Sequence, residues 1–572
     1  MLSKLFRRKV AMQSDDRAKC VATTIKPVVL IFALCCSFTS NASPEILQLA
    51  KSNKLRLPDY SYAGYKHGAT DIPLVKKRLV NIQDYGAVAD DGRDDSRAIL
   101  KALEKAHAIE GPVVVMFPRG KYIVSEILPI RRGNIVLRGA GAGDGGTTLF
   151  FPRPLRMIDN GESLKELTEY LTKYDKRQKE EHNNINVPFS EYSWSGGFIW
   201  IQKEGTRAAP YLEEYDPVIK VITNALQGEA GSRRIEVDNA DNISVGDVLE
   251  LQWLNKDGEK GALIQELYGN TDLKIGSHHW TRPERPLIRQ KTEVLSINGN
   301  QITISDPLLH TVSSETPAQF AEWEHITEVG IEDLHLSFPE APSFGHHMEQ
   351  GYNGVYVTSV FNGWIRNLKI TNADSGVLTY NSANLTITDI QSEGTRRGHY
   401  AVHTGNVHNV LVKNLMINNP LVHSLTFNTQ ATKSVFLNAH VFNTPVLDQH
   451  AGSNHQNLFD DIHVYITALR DKQNNAYYPL WDGSGAGYWQ PGHGRFNTTW
   501  NLKVTVLGGA DRDEKVTLYG KEEGPEARIV GVSGNRQFAV DYRPTPYMEA
   551  INSNMDTVPS LYLWQLQQRL QK

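Results

Sequence analysis

VGIEDL (Val329–Leu334), WIRNL (Trp364–Leu368), LTITDI (Leu385–Ile390), VLVKNL (Val410–Leu415), VFLNAH (Val435–His440) and LFDDI (Leu458–Ile462) are six versions of one phrase. Each runs apolar–x–apolar–polar–Asn/Asp–apolar. With Asp333, Asn367, Asp389, Asn414, Ala439 and Asp461 as register marks, the spacings are 34, 22, 25, 25 and 22 residues. A period near 20–25 residues with strand-type alternation specifies stacked coils. One coil cannot bury its apolar face alone, and stacking joins the faces into a continuous core. Leucine-rich repeats share the period but require L-x-x-L-x-L, which is absent, so a parallel β-solenoid fits better. The step of 34 implies an extra loop, most simply Pro339–Gly351.

The rest of the chain is consistent with such a body. It has 572 residues, 40% hydrophobic and 22% charged, which excludes disordered, collagen-like and multi-span membrane classes. The 45 Gly and 26 Pro favour a turn-rich chain over a helix bundle. Residues 1–42 hold seven Lys/Arg and two Asp, a net of +5, so a chain starting at Ser43 would carry −9 in place of −4. That sign argues against nucleic-acid binding, which needs a basic footprint. Val28–Phe38 is an apolar run behind a basic segment, shorter than the roughly 20 residues of a spanning helix. Ser40-Asn41-Ala42 then supplies small residues where a signal peptidase reads them. We expect residues 1–42 to be a signal peptide and the product to be secreted or periplasmic, with no membrane span. All three cysteines (Cys20, Cys35, Cys36) fall in this leader, so the exported chain would have no disulfide and no Cys ligand.

Upstream of the repeats, DYGAVADDGRDDSRAILKALEKA (Asp84–Ala106), VVMFPRGKYIVS (Val114–Ser125) and NIVLRGAGAGDGGTTLFF (Asn134–Phe151) resemble the opening of the pectate-lyase-like superfamily, the right-handed parallel β-helix group of polysaccharide lyases, some glycoside hydrolases and phage tailspikes. The resemblance implies a single-stranded right-handed parallel β-helix with an N-terminal capping strand and helix over Asp84–Ala108, the helix from Arg97. It implies a carbohydrate-active protein, and calcium as an ion that lyases on this fold sometimes use. Taken together, the chain divides into a leader (1–42), an N-terminal extension (43–77), and a cap with first coils and a charged, solvated helical insertion at 160–195 (78–216). An inserted small β subdomain (217–312), main coils carrying the site (313–510) and a C-terminal segment (511–572) follow. The signature blocks of the better-known hydrolases and pectate lyases are missing. Gln391-Ser392-Glu393 is similar to the Lys-Ser-Glu of alginate and chondroitin lyases, with Gln in place of the base.

Sliding the register back along each coil places candidate site residues. Val355, Val377, Val402, Phe427 and Gln449 form a mostly apolar, inward column. Tyr356, Leu378, His403, Asn428 and His450 then point outward. His403 and His450 would lie two coils, about 10 Å, apart, with Asn428 between and Asp448 beside. Segments just before these strands bring Arg396, Arg397, His399 and His423. Of 19 histidines, seven lie between His399 and His455, where even scatter would put about two. His408, His440 and His455 lie near strand ends and read as structural.

This chemistry suits β-elimination at a uronate, which needs a neutralised carboxylate, a base for the C5 proton and an acid for the leaving oxygen. Arg397 would clamp the carboxylate. His403 or His450 would be the base, with His423 and Asp448 in the same set, and Tyr380, Tyr400 or the second His would be the acid. Arg396, His399, Asn428, Trp481, Trp489, His493 and Arg495 would line substrate subsites. His346/His347/Glu349 on the extra loop and the pair Asp448/His450 are candidate metal ligands. The expected function is a secreted polysaccharide lyase acting on an anionic glycan. A glycoside hydrolase pairing Asp448 with Asp374, Glu349 or Asp482, or a non-catalytic glycan binder, are the alternatives.

Overall fold

The computed structural model describes residues 43–159, 161–178, 189–208, 219–269, 285–450, 452–482, 492–520 and 524–572. The leader expected at residues 1–42 lies outside these residues, as does Trp489. Strands of successive coils pair in parallel into two long sheets, one of 15 strands and one of 11. This is a right-handed parallel β-helix. The helix Ser96–His107 buries Ala98, Ile99, Ala102, Leu103 and Ala106 against its first coils. Asp95 ties this cap down by accepting from the backbone N–H of Val88 (2.9 Å) and Ile123 (3.2 Å).

The Asn/Asp of the repeated phrase explains how the coils turn. Asp333, Asn367, Asp389, Asn414, Asn438, Asp461 and Asn501 all have φ between 51° and 62°. Asn and Asp tolerate this left-handed region better than other side-chain-bearing residues. Stacked coils bring these side chains together. Asn367 Nδ2 donates to Asp333 Oδ1 (2.6 Å), Asn414 to Asp389 (2.9 Å), Asn438 to Asn414 (2.9 Å) and Asn501 to Asp461 (3.2 Å). The fifth mark is therefore Asn438; Ala439 pairs with Leu415 and Ile462, one residue further in. Inside, Ile331, Ile365, Ile387, Val412, Phe436 and Phe459 stack in register, all buried.

Three parts differ from the sequence expectation. The helix Lys165–Gln178 is not simply solvated: Leu164, Leu167 and Leu171 join the main core, because its apolar residues recur at helical spacing. The coils run on beyond residue 510, through strands Val516–Gly520, Arg528–Gly534, Phe538–Asp541 and Tyr547–Ile551. The inserted subdomain is a closed six-strand barrel that needs Ala318–Ala321 to close, so it spans Val221–Ala321.

Two polar anchors fix the peripheral parts. The C-terminal helix Leu561–Leu570 and residues from the N-terminal extension (Ile46, Leu47, Tyr60) cover Leu411, Val435, Leu458 and Trp500. Buried Asp460 receives Ser560 Oγ (2.6 Å) and the backbone N–H of Leu561 (3.1 Å) and Tyr562 (2.8 Å) at the start of that helix. The barrel docks on coil turns through buried Asp306. It accepts from Thr292 (2.6 Å) and Gln290 (2.9 Å) of the barrel and faces His408 Nε2 (2.7 Å) and Asn409 (3.2 Å) of the coil. Lys291 Nζ adds a bond to Asn406 Oδ1 at 2.9 Å. His455 meets His310 of the barrel at 2.7 Å. His408 and His455 thus hold the barrel to the coils.

Asp460→Ala should lower stability by about 1–3 kcal/mol, the cost of leaving buried donors unpaired. Ser560→Ala should cost about 1 kcal/mol, as loss of an N-cap; thermal melts distinguish the two. Asp306→Ala should cost about 3–5 kcal/mol in urea unfolding, because it strips a buried partner from His408. Burial alone would raise the Asp306 carboxyl, but the His408 contact outweighs it and holds it at about 2. Because the shift is downward, its stabilisation is complete above the unfolded value of about 3.9 and is lost as pH falls toward about 2. A pH series of wild type against Asp306→Ala should show the difference shrinking only in that acid window.

Candidate functional site

The strands of the 11-strand sheet carry the candidate site. Val355, Val377, Val402, Leu425 and Leu447 stack in one column, and Tyr356, Leu378, His403, Thr426 and Asp448 in the next. From the fifth coil onward the sequence projection is displaced by two residues. In the fifth coil one residue comes from the mark at Asn438 and one from a longer turn before it; in the sixth, where Asp461 is the right mark, both come from the turn. A slip of two preserves which face a side chain takes, but it puts Asp448, not His450, two coils from His403. Phe427 and Gln449 pair one step further along, with Thr404 and with each other.

Around Asp448 the predicted residues converge. His423 Nδ1 lies 3.0 Å and His450 Nδ1 3.5 Å from its carboxylate oxygens. The rings of His423 and His450 are 5.0 Å apart between centroids, His399 and His423 5.3 Å, and Tyr400 stacks on His423 at 5.2 Å. Asn428 supplies a side-chain hydrogen bond to Tyr400. The loop 339–351 folds over this group and adds His346, whose Nε2 is 3.2 Å from His399 Nε2, and His347, stacked on His346 at 3.7 Å. His347 takes φ 69°, a costly conformation for a non-glycine residue. Glu349 on the same loop lies 3.2 Å from His399 Nδ1 and accepts from Ser193 Oγ at 2.6 Å. Gly351 closes the loop with φ 91°; a side chain there would meet Leu155 and Tyr192 at 2.9–3.0 Å.

The electrostatics separate the groups. Burial of Asp448 works against its charge, but the two imidazoles prevail and hold it well below the usual carboxylate range. Burial pushes Glu349 up to about 7. Burial also holds His399 well below its ordinary value and lowers His403 to about 3. His403 is fully buried, 4.6 Å from the Tyr380 ring and 4.7 Å from Tyr400. It supports the cluster from beneath, and Tyr380 is equally buried beside it. Arg397 is exposed and near enough to act on His346 electrostatically.

Other expected residues lie elsewhere. Arg396 is buried; it pairs with Asp374 at 3.3 Å and packs over the Tyr352 ring, so its guanidinium does not face an open subsite. Trp481 is a core residue, its Nε1 donating to Thr499 Oγ1 at 3.0 Å. His493 is buried against the Tyr542 hydroxyl at 2.5 Å. Arg495 donates to the Glu266 carbonyl at 2.9 Å, under the barrel. Apolar and Gly-rich composition alone could not tell a packed Trp481 from a sugar platform. Sequence reasoning missed Ser193, which reaches Glu349 across 156 residues of chain and carries no local signal.

Two groups offer metal-type donors among the described residues: His346/His347/His399 and His423/Asp448/His450. They are dominated by imidazole nitrogen. Calcium takes six to eight oxygen ligands, so the calcium implied by resemblance does not fit these donors.

Residues 79–164 match the family model described as rhamnogalacturonase A/epimerase, pectate lyase-like. That stretch holds the cap and first coils, and no subfamily is resolved. None of the curated proteins matches the chain. Among solved structures, the tailspike protein gp49 from Pseudomonas phage LKA1 is similar at 13% identity over 83% of this chain and 81% of its own, with a TM-score of 0.45. A DFA-IIIase from Arthrobacter chlorophenolicus A6 without its lid is similar at 11% identity over 82% and 93%, with a TM-score of 0.37. The A-module of the Azotobacter vinelandii mannuronan C-5 epimerase AlgE4 is similar at 12% identity over 82% and 96%, with a TM-score of 0.28. What the chain shares with the matched family is a pectate-lyase-like cap at the head of a parallel β-helix.

Proposed function

We propose that this protein is a carbohydrate-active enzyme working outside the cytoplasm, and that it cleaves an anionic, uronate-containing polysaccharide by β-elimination at the His423/His450 cluster. The carrying observation is which groups face outward. The side chains of Asp448 and Glu349 are 2% and 8% exposed; Asp448 sits behind His423 and His450, and Glu349 beside the fully buried ring of His399. His423 and His450 are 12% and 22% exposed, and His346 and Arg397 are exposed. A polymer approaching this face meets imidazole and guanidinium before any carboxylate. That supports a histidine base over the paired carboxylates a hydrolase needs.

Each step then has a residue. Arg397 neutralises the uronate carboxylate, which makes the C5 proton removable. Asp448 stands 3.5 Å from Nδ1 of His450, the more exposed of the two rings, and Nε2 of His450 takes the C5 proton. His450 then returns that proton to the departing oxygen, and His423, whose Nε2 is buried, faces Asp448 from its other side. Tyr380 and Tyr400, at 0% and 2% exposure, shape the floor beneath these rings.

Digestion of a panel of anionic polysaccharides tests this reading. The expected result is new reducing ends together with the ultraviolet absorbance of an unsaturated uronate on the same polymer. His450→Ala should lower that rate by about 10²–10⁴-fold, the usual worth of a general base, with an unchanged melting temperature. Reducing ends without absorbance would establish hydrolysis instead. Binding without either product would make the protein a glycan receptor.

A further inference from the structure

The loop 339–351 places imidazoles where no step above uses them. His346 Nε2 and His399 Nε2 face one another at 3.2 Å. Both are ring nitrogens, so a single proton is all that can be shared between them. The metal-accessible atoms of His346, His347 and His399 all lie within 4.8 Å of one another. Two nitrogens about 2.0–2.1 Å from a tetrahedral zinc ion stand about 3.3 Å apart, close to the observed separation.

The surroundings are those of a ligated imidazole. Glu349 lies 3.2 Å from Nδ1 of His399, the nitrogen away from His346, and Ser193 Oγ holds Glu349 at 2.6 Å. A carboxylate on the far nitrogen of a metal-binding histidine is the usual orienting partner. His399 is fully buried. His347 is braced by the rings of Phe189 and Trp194, each 4.7 Å away. The neighbouring group differs. There the carboxylate of Asp448 lies between two imidazoles, 3.0 Å from His423 Nδ1 and 3.5 Å from His450 Nδ1.

We propose that His346, His347 and His399 bind one first-row transition-metal ion of the zinc type, with Glu349 as the residue that positions His399. The ion would sit beside His423, whose ring centroid is 5.4 Å from that of His346. From there it would supply a positive charge for an anionic group of the substrate. Imidazole donors select such ions over calcium or magnesium.

Tag-free full-length protein, stripped with a chelator, should be titrated calorimetrically with Zn²⁺, Ni²⁺, Mn²⁺ and Ca²⁺ separately. Metal content of the unstripped protein is read by mass spectrometry. We expect one zinc-type ion per chain, no calcium binding, and a melting temperature raised by Zn²⁺. His346→Ala, on an exposed loop position, and His399→Gln should each abolish stoichiometric binding. Glu349→Gln should weaken it about 10–100-fold, and His440→Ala, on the other sheet, should leave it unchanged. If His399→Gln fails to fold, His346→Ala with wild-type melting behaviour decides alone. Wild-type protein that takes up no transition metal, or equal binding by wild type and His346→Ala, would overturn the proposal. Neither result bears on whether an unsaturated product forms, so this test and that of β-elimination fail separately.

Discussion

Everything in this molecule depends on parallel coils repeating in register, one strand spacing of about 4.8 Å apart. The register is enforced by two ladders. Inside, branched and aromatic side chains such as Ile365, Ile387, Val412 and Phe436 stack on their counterparts. Outside, Asn367, Asn414, Asn438 and Asn501 turn the corner in left-handed backbone and reach to the coil before. Because every coil repeats the same corners, a side chain at one strand position recurs at a fixed distance. A row of imidazoles can then be built from residues far apart in sequence.

The candidate site combines this regularity with two departures from it. The coils provide His399, His423, Asp448 and His450 in neighbouring strands. The loop 339–351 and the segment 189–195 break the repeat and supply His346, His347, Glu349 and Ser193. The buried carboxylate of Asp448 stands behind the rings of His423 and His450, so the protein presents a nitrogen-rich face although its sequence is acidic overall. The barrel is held to the coils by its own buried network at Asp306, Lys291 and His408.

Much of this could be read in the sequence. The apolar alternation and the Asn/Asp marks fixed the solenoid, and the cap residues Asp84–Ala106 pointed to the pectate-lyase-like opening. The histidine cluster was visible as density along the chain. What the density could not show is that it serves three places: His399, His403, His423 and His450 at the site, His408 and His455 under the barrel, and His440 on the other sheet. Strand-end position already set His408, His440 and His455 apart from the site; the docked parts add that His408 and His455 hold the barrel. The displaced projection has an equally local cause. VFLNAH contains both Asn438 and Ala439, and only the ladder partner Asn414 identifies which one turns the corner; the rest of the shift comes from turns that lengthen after Leu425 and Leu447. Trp481 and His493 were read as surface because the chain around them is rich in glycine, yet further coils cover both.

The most direct test of this account is a crystal structure of the protein soaked with a short uronate-containing oligosaccharide. The account predicts sugar density on the face formed by His346, Arg397, His423 and His450, with a carboxylate toward Arg397. Density in the cleft of about 1250 Å³ lined by Trp200, Arg289 and Trp323 between the coils and the barrel, with none at the imidazoles, would contradict it.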